Sequence, residues 1–432
     1  MKAKLLIVAL LLCRFSAFAE PITIEQAKQK AKTFLTQPDG RRKVHAQGES
    51  MQLTTVMEDP NFYVFNVGTD NGYVIVSGSD RTQAILGYTD TGAIDIKNIP
   101  DPMKHWLKEL SVAVSTIDKG KKQVREKAPK ASTSTKKTIT KNVVPMLVTT
   151  KWNQGNPYNL ECPEYKSKNG SKGRCATGCV ATAMAQILGY WRIPKTPVPE
   201  IPSYKYNYEG TSYTLDALPS VTFDWTNITD TYNSYSSTAS KKAISQLMRY
   251  VGQSVKMGYG PSSGAGVGHI PPAFVKYFGF DPNLSYETHD SYTYQEWEDL
   301  IYSELAVGRP MVMNATTSEG GGGHEFVIDG YDGNGYYHIN WGWGGMDDGY
   351  FLLTVMSPGQ QGIGGSTSAD GYSMGQGVVV GLKPAESGTT PQKEIVRIDI
   401  FNIKLDKTTY TRKSTKAYFM PRIKFAAGTN LQ

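Results

Sequence analysis

Residues 119–141 carry nine Lys or Arg against one acid, Glu126, with almost nothing apolar before Ile139. Such a stretch cannot bury enough apolar surface to offset the entropy of ordering it. It therefore divides the 432 residues into parts that need cores of their own, and length alone calls for two or three. It also holds much of the formal charge of +7, so the positive balance belongs to a linker and gives no nucleic-acid footprint. Proteolytic nicking concentrates in exposed linkers of this kind, so composition fits a spacer and an activation-cleavage region about equally.

The first residues read as an export signal over 1–19: basic Lys2 and Lys4, an apolar run over 5–12, then Ala17-Phe18-Ala19 as a cleavage site. The run is too short to span a bilayer, and no later stretch supplies a transmembrane segment. Bulky Leu12 before Cys13 argues against lipid attachment. The expected product is secreted, with retention at the cell surface left open. Removing the signal leaves Cys162, Cys175 and Cys179. An oxidising compartment pairs thiols, so an odd count leaves one free, a candidate nucleophile.

Residues 20–118 predict a small α+β domain: a helix over 24–35, strands over 62–67 and 73–76 about an Asn71-Gly72 turn, and a helix from Asp101 through Trp106, Leu107 and Leu110. Residues 142–383 change character midway. Helices are expected at about 177–191, 240–253 and 294–307, then short strands over 311–315, 325–328, 336–340, 350–354 and 378–382. A helical half followed by an antiparallel half predicts two lobes with a cleft between them. After Pro384, a linker and an alternating run over 395–400 predict the start of a further β-domain within 384–432.

Chemistry concentrates in three segments. In Cys175-Ala176-Thr177-Gly178-Cys179-Val180-Ala181-Thr182-Ala183-Met184, small residues alternate with larger ones as in a tightly packed helix, and Gly178 frees the backbone before it. Cys179 then sits at a helix N-terminus, where the macrodipole favours thiolate; the bland reading is a buried structural Cys. Gly320-Gly321-Gly322-Gly323-His324-Glu325 offers a base, since glycines let a loop pass close to substrate and His324 opens the strand that follows. A turn at Asp332-Gly333-Asn334-Gly335 can return Asn340 or Trp341 beside His324, where an amide fixes an imidazole without charging it. In Trp152-Asn153-Gln154-Gly155-Asn156-Pro157, the Gln154 amide can join the Cys179 backbone N–H as an oxyanion hole, a donor worth about 10²–10³ in rate.

Together these segments, with Gly260-Pro261-Ser262-Ser263-Gly264 and the Asn340-to-Gly345 run, resemble the streptopain family of secreted bacterial cysteine proteases. The resemblance implies a two-lobed papain-like catalytic domain, α+β in class, behind a small α+β pro-domain over 20–118 and a basic activation linker over 119–141. It implies Cys179 as nucleophile, His324 as general base and acid, Gln154 as oxyanion donor, and Asn340 or Trp341 as the group that orients or shields His324. Ser262, Trp343 and Glu325 would border the substrate cleft, with a Gly-rich loop over 359–377. Implied partners are protein or peptide substrates and the chain's own pro-domain, which would block the cleft and displace the His; no cofactor and no metal are implied. Two departures stand out: Glu325 follows the His where streptopain has a small residue, and Cys162 and Cys175 are extra and form a disulfide candidate. Two rivals use the same residues otherwise, a Cys-His-Asn amidase or acyltransferase of the cell wall and a zinc-stabilised adhesin, the latter with poor ligand spacing.

Overall fold

The computed structural model describes residues 21–37, 51–118, 139–289, 292, 294–316, 323–353, 376–386, 388, 400–405 and 423–427. The export signal, most of the basic linker, Gly320-Gly321-Gly322 and nearly all of the 359–377 loop lie outside the described residues.

The N-terminal part begins with α1 (Ile24–Thr36), opened by a capping box in which Thr23 and Gln26 satisfy each other's backbone N–H. Ala27, Ala31 and Leu35 fall on one face at helical spacing and are buried. Strands β1 (Leu53–Asp59), β2 (Phe62–Val67), β3 (Tyr73–Ser77) and β4 (Ile85–Thr89) follow as an antiparallel meander, then α2 (Asp101–Asp118).

The larger part opens with the short hairpin β5 (Glu164–Lys166) and β6 (Lys172–Arg174), then α3 (Cys179–Trp191). The hairpin β7 (Tyr204–Tyr208) and β8 (Thr211–Leu215) leads to α4 (Thr238–Ser254), capped by Ser237, and α5 (Ile270–Phe278), which has Pro in its first turn and left-handed Gly279 after its last. After β9 (Ser285–Thr288) and α6 (Tyr294–Ala306) come β10 (Met311–Thr316), β11 (Gly323–Tyr331), β12 (Tyr337–Asn340), β13 (Gly349–Phe351) and β14 (Gly377–Val380).

The expected separation of the first domain from the second is only partial. The ten-stranded sheet runs β1-β2-β3-β4-β13-β12-β11-β10-β14-β9, so the pro-domain meander continues the β lobe edge to edge through β4 and β13. Two cores result. One is shared by residues 22–114 and the β lobe, where Trp106 of α2 meets Phe351 edge-on at 4.9 Å; the other fills the helical lobe. Tyr88 extends the joint by donating to Asp332 at 3.0 Å. Shared apolar burial ties the folding of the N-terminal part to that of the β lobe.

Strand β11 lies between the two cores, and its alternation assigns its residues. Phe326 and Ile328 belong to the core shared with the N-terminal part, and Val327 to the helical lobe.

Residues 387–432 form a separate compact unit, whose described elements are β15 (Ile400–Leu405) and β16 (Ile423–Ala427), paired antiparallel. Of the strand expected at 395–400, only Ile400 lies within the described residues.

Trp106 is 3% exposed, and truncating it leaves a cavity in the shared core. In a full-length Cys179→Ala chain, Trp106→Ala is expected to cost about 3–5 kcal/mol. Urea unfolding should show the β lobe destabilised together with the N-terminal part.

Candidate active site

Cys179 is the first residue of α3, as its position after Gly178 predicts. Gly178 has φ of 87°, and a Cβ there would lie 2.8 Å from the Met257 sulfur and 2.9 Å from the Ser263 carbonyl, so only glycine serves. The thiol opens onto a cavity of about 540 Å³ whose lining includes Gln154, Ser262, Val267, His324, Glu325 and Trp343. Asp101 and His105 of α2, one helical turn apart, form part of the same lining, which places the N-terminal part directly over the site.

With the N-terminal part in place, the thiol does not face the imidazole. Cys179 Sγ donates to Glu325 Oε2 at 3.0 Å, and both residues are buried. The reason is the strand. The sequence predicted β11 to begin at Glu325, but it begins at Gly323, and His324 pairs with Ala315 while Glu325 pairs with Asn314. Neighbours on a strand point to opposite faces. Glu325 therefore shares the helical-lobe face with Val327, and His324 shares the other face with Phe326, its ring 5.6 Å from that of His105.

Electrostatics match this arrangement. Burial, and then the Glu325 charge, push the Cys179 thiol well above its ordinary pKa, with the Glu325 and Val180 backbone N–H groups opposing. Burial pushes Glu325 up to about 7. His324 is lowered by burial and by His105, and His105 is lowered by its own burial. Burial thus works against charge on the thiol, the imidazole and the carboxyl alike.

Gln154 lines the same cavity as Cys179, and its backbone is bonded on both sides. Its carbonyl accepts from Thr177 N–H at 3.0 Å, tying the segment to the residues just before Cys179, and its N–H donates to Asn153 Oδ1 at 2.6 Å. Asn340 and Trp341 are held by other partners than His324 in the bonds they make. The hairpin sets Asn340 opposite Val327, and its amide is engaged with Thr150, Gln186 and Gly342. Trp341 is fully buried against Phe326 at 5.2 Å and Phe351 at 5.3 Å, and its indole N–H donates to the Asp347 carbonyl.

Cys162 and Cys175 are free thiols, so the expected bridge is not formed. Both are buried in the helical-lobe core, and burial pushes them up to about 12 and about 11, far from the thiolate that exchange requires. Among the described residues no three His, Cys, Asp or Glu side chains gather as a metal site.

Sequence reasoning missed the two α2 residues over the cavity, the Glu325 contact, and Gln186. Glu325 was legible as a charge bordering the cleft, and Gln186 left a trace as a single long polar side chain two helical turns after Cys179 in an otherwise small and apolar run.

The geometry agrees with comparisons to known proteins. The Peptidase C10 family profile matches residues 152–351, and that of the Spi protease inhibitor matches residues 19–114. Streptopain of Streptococcus pyogenes is 34% identical over 383 residues, spanning 83% of this chain and 91% of its own. The thiol protease/hemagglutinin PrtT of Porphyromonas gingivalis is 31% identical, over 88% of this chain and 44% of its own. Among solved structures, a fragment of Prevotella intermedia prointerpain A carrying an alanine for a cysteine superposes with a TM-score of 0.61 at 30% identity, covering 78% of this chain and 99% of that one.

A like charge beside the thiol suppresses thiolate, so removing it should raise reactivity. With His324→Ala in both chains to keep them full length, Glu325→Gln is expected to speed iodoacetamide labelling of Cys179 at pH 7 about tenfold, the thiolate gain carried by one pKa unit. Peptide mapping of the labelled cysteine checks it.

Proposed function

This chain belongs to the peptidase C10 family, and from that premise we propose how its residues divide the work of a cysteine endopeptidase made as a zymogen. Cys179 is the nucleophile, attacking the scissile carbonyl to form an acyl-enzyme. His324 takes the thiol proton, gives it to the leaving amine, and then activates the water that releases the acyl group. The Gln154 amide and the Cys179 backbone N–H hold the oxyanion, with Ser262 and Trp343 bordering the cleft. The single observation that carries this reading is the cavity shared by Cys179, Gln154 and His324.

Residues 20–118 act as the intramolecular inhibitor. Their α2 helix covers the cavity and receives the His324 ring, while β4 pins β13, which leads back through β12 to β11. Removing them takes away the contact that holds His324 on the wrong face. Turning the first residues of β11 over then exchanges Glu325 for His324 at the sulfur. The export signal over 1–19 sends the chain out of the cell, and protein or peptide substrates follow from the chemistry. A cell-wall amidase would share the nucleophile, so casein hydrolysis that stops when Cys179 is alkylated decides between them.

Contacts at the downstream end of the linker support a cut upstream of them. Asn142 N–H donates to Tyr302 Oη at 2.8 Å, Val144 pairs with Tyr331, Val148 N–H donates to Asp329 Oδ2, and Lys141 is ion-paired with Glu298 and Asp299. A protease needs a segment it can draw out of the fold. Maturation is therefore expected upstream of Ile139, within 119–138, as read by N-terminal sequencing of the processed enzyme. Cys179→Ala expressed alone should stay full length; if it matures with no protease added, self-processing is wrong.

A further inference from the structure

The first residue of α3 carries the nucleophile, and Gln186 lies seven residues on, on the same face. Gln186 is fully enclosed, as are Thr150 and Asn340 to within a few per cent. The three side chains close a ring. Thr150 Oγ1 donates to Gln186 Oε1 at 3.0 Å, Gln186 Nε2 donates to Asn340 Oδ1 at 3.0 Å, and Asn340 Nδ2 returns to the Thr150 carbonyl at 2.8 Å. Gly342 N–H adds a second donor to Asn340 Oδ1 at 3.0 Å.

Each member belongs to a different part of the site. Gln186 is on the helix of Cys179, Thr150 opens the segment that runs to Gln154, and Asn340 opens the loop to Trp343. Segment and loop meet again where Gly344 N–H donates to the Trp152 carbonyl at 2.9 Å. Gly342, at φ of 74°, comes so close to α3 that a Cβ there would lie 3.1 Å from Thr182 Cγ2. A buried amide costs free energy unless both its ends are bonded, so this ring has one low-energy arrangement and resists sliding.

We propose that Gln186 is a positioning residue for peptide-bond hydrolysis, fixing the spacing between the Cys179 helix and the Gln154 segment through its ring with Thr150 and Asn340. This rests on the reading of Cys179 as nucleophile and Gln154 as oxyanion donor. Gln186 touches neither substrate nor sulfur. It holds the donor and the nucleophile at the separation that the tetrahedral intermediate requires, where small displacements are costly in rate.

The distinction from a merely structural role lies in two reactions of one thiol. Alkylation by iodoacetamide needs the thiolate but no oxyanion hole, whereas peptide hydrolysis needs both. The variants Gln186→Met, Thr150→Val and Thr150→Ser are made in the full chain and matured by tagged wild-type enzyme, which is then removed. Gln186→Met and Thr150→Val are expected to lower kcat by about 10–100-fold, below the loss from deleting an oxyanion donor outright, with KM and Cys179 alkylation within about threefold of wild type. Thr150→Ser keeps the hydroxyl and should keep kcat. The double variant should be no worse than the worse single, since both break the same ring. If Gln186→Met fails to fold, the two Thr150 variants carry the test alone. Unchanged kcat, or hydrolysis and alkylation falling together, overturns the proposal. Gln154→Ala separates the two readings: full activity there rejects the oxyanion role, while lost activity beside normal Gln186 and Thr150 variants rejects the ring alone.

Discussion

His324 and Glu325 are neighbours on a strand, and neighbours on a strand cannot face the same way. While β11 is paired from Gly323 onward, only one of them can face the helical lobe, and Glu325 does. Latency then does not rest on the α2 cover over the cavity alone. It follows from the pleat of a strand held in register by β10 on one side and, through β12 and β13, by the N-terminal part on the other. The same pleat sorts Phe326 and Ile328 into one core and Val327 into the other, while the His324 ring lies 5.6 Å from that of His105.

Charge reinforces geometry. A thiolate is favoured by a cation nearby, whereas Cys179 has a carboxyl at 3.0 Å. Glu325 is raised to about 7 by the same burial, so its folded-state affinity for a proton exceeds that of a free carboxyl. Its contribution to the latent form is therefore full in acid and is lost as pH rises from the ordinary carboxylate range through about 7. The His105–His324 pair has the opposite sign. Both rings are lowered by burial, so their packing is undisturbed above the ordinary histidine range and is weakened as pH falls below it. The latent form is thus most secure where neither group is forced to charge.

Much of this was legible in the sequence. The helix beginning at Cys179, the other periodic helices and the short strands each carry a local signature, and the structure places them nearly where those signatures fall. The unread parts are those that depend on partners far along the chain. Nothing local in residues 85–89 or 349–351 says that these strands pair with each other. The start of β11 falls two residues earlier than its glycines suggest, so His324 is paired within the strand and the pleat sets its face opposite to that of Glu325. Asn340 was placed beside His324 by hairpin logic, but the register sets it opposite Val327, and Gln186 and Thr150 then claim its amide. Cys162 and Cys175 were paired by counting, whereas the packed core accommodates both as thiols.

The central claim is that release of residues 20–118 exchanges Glu325 for His324 at the sulfur. The pH dependence of Cys179 alkylation, measured on the full-length chain and again after the linker is cut and the N-terminal part removed, tests it most directly. The account predicts a rate in the full-length chain that rises only in alkali. The released enzyme should instead react through a thiolate formed about two or more pH units lower, an advantage that disappears with His324→Ala. Identical profiles before and after release, or a released profile indifferent to His324, would contradict it.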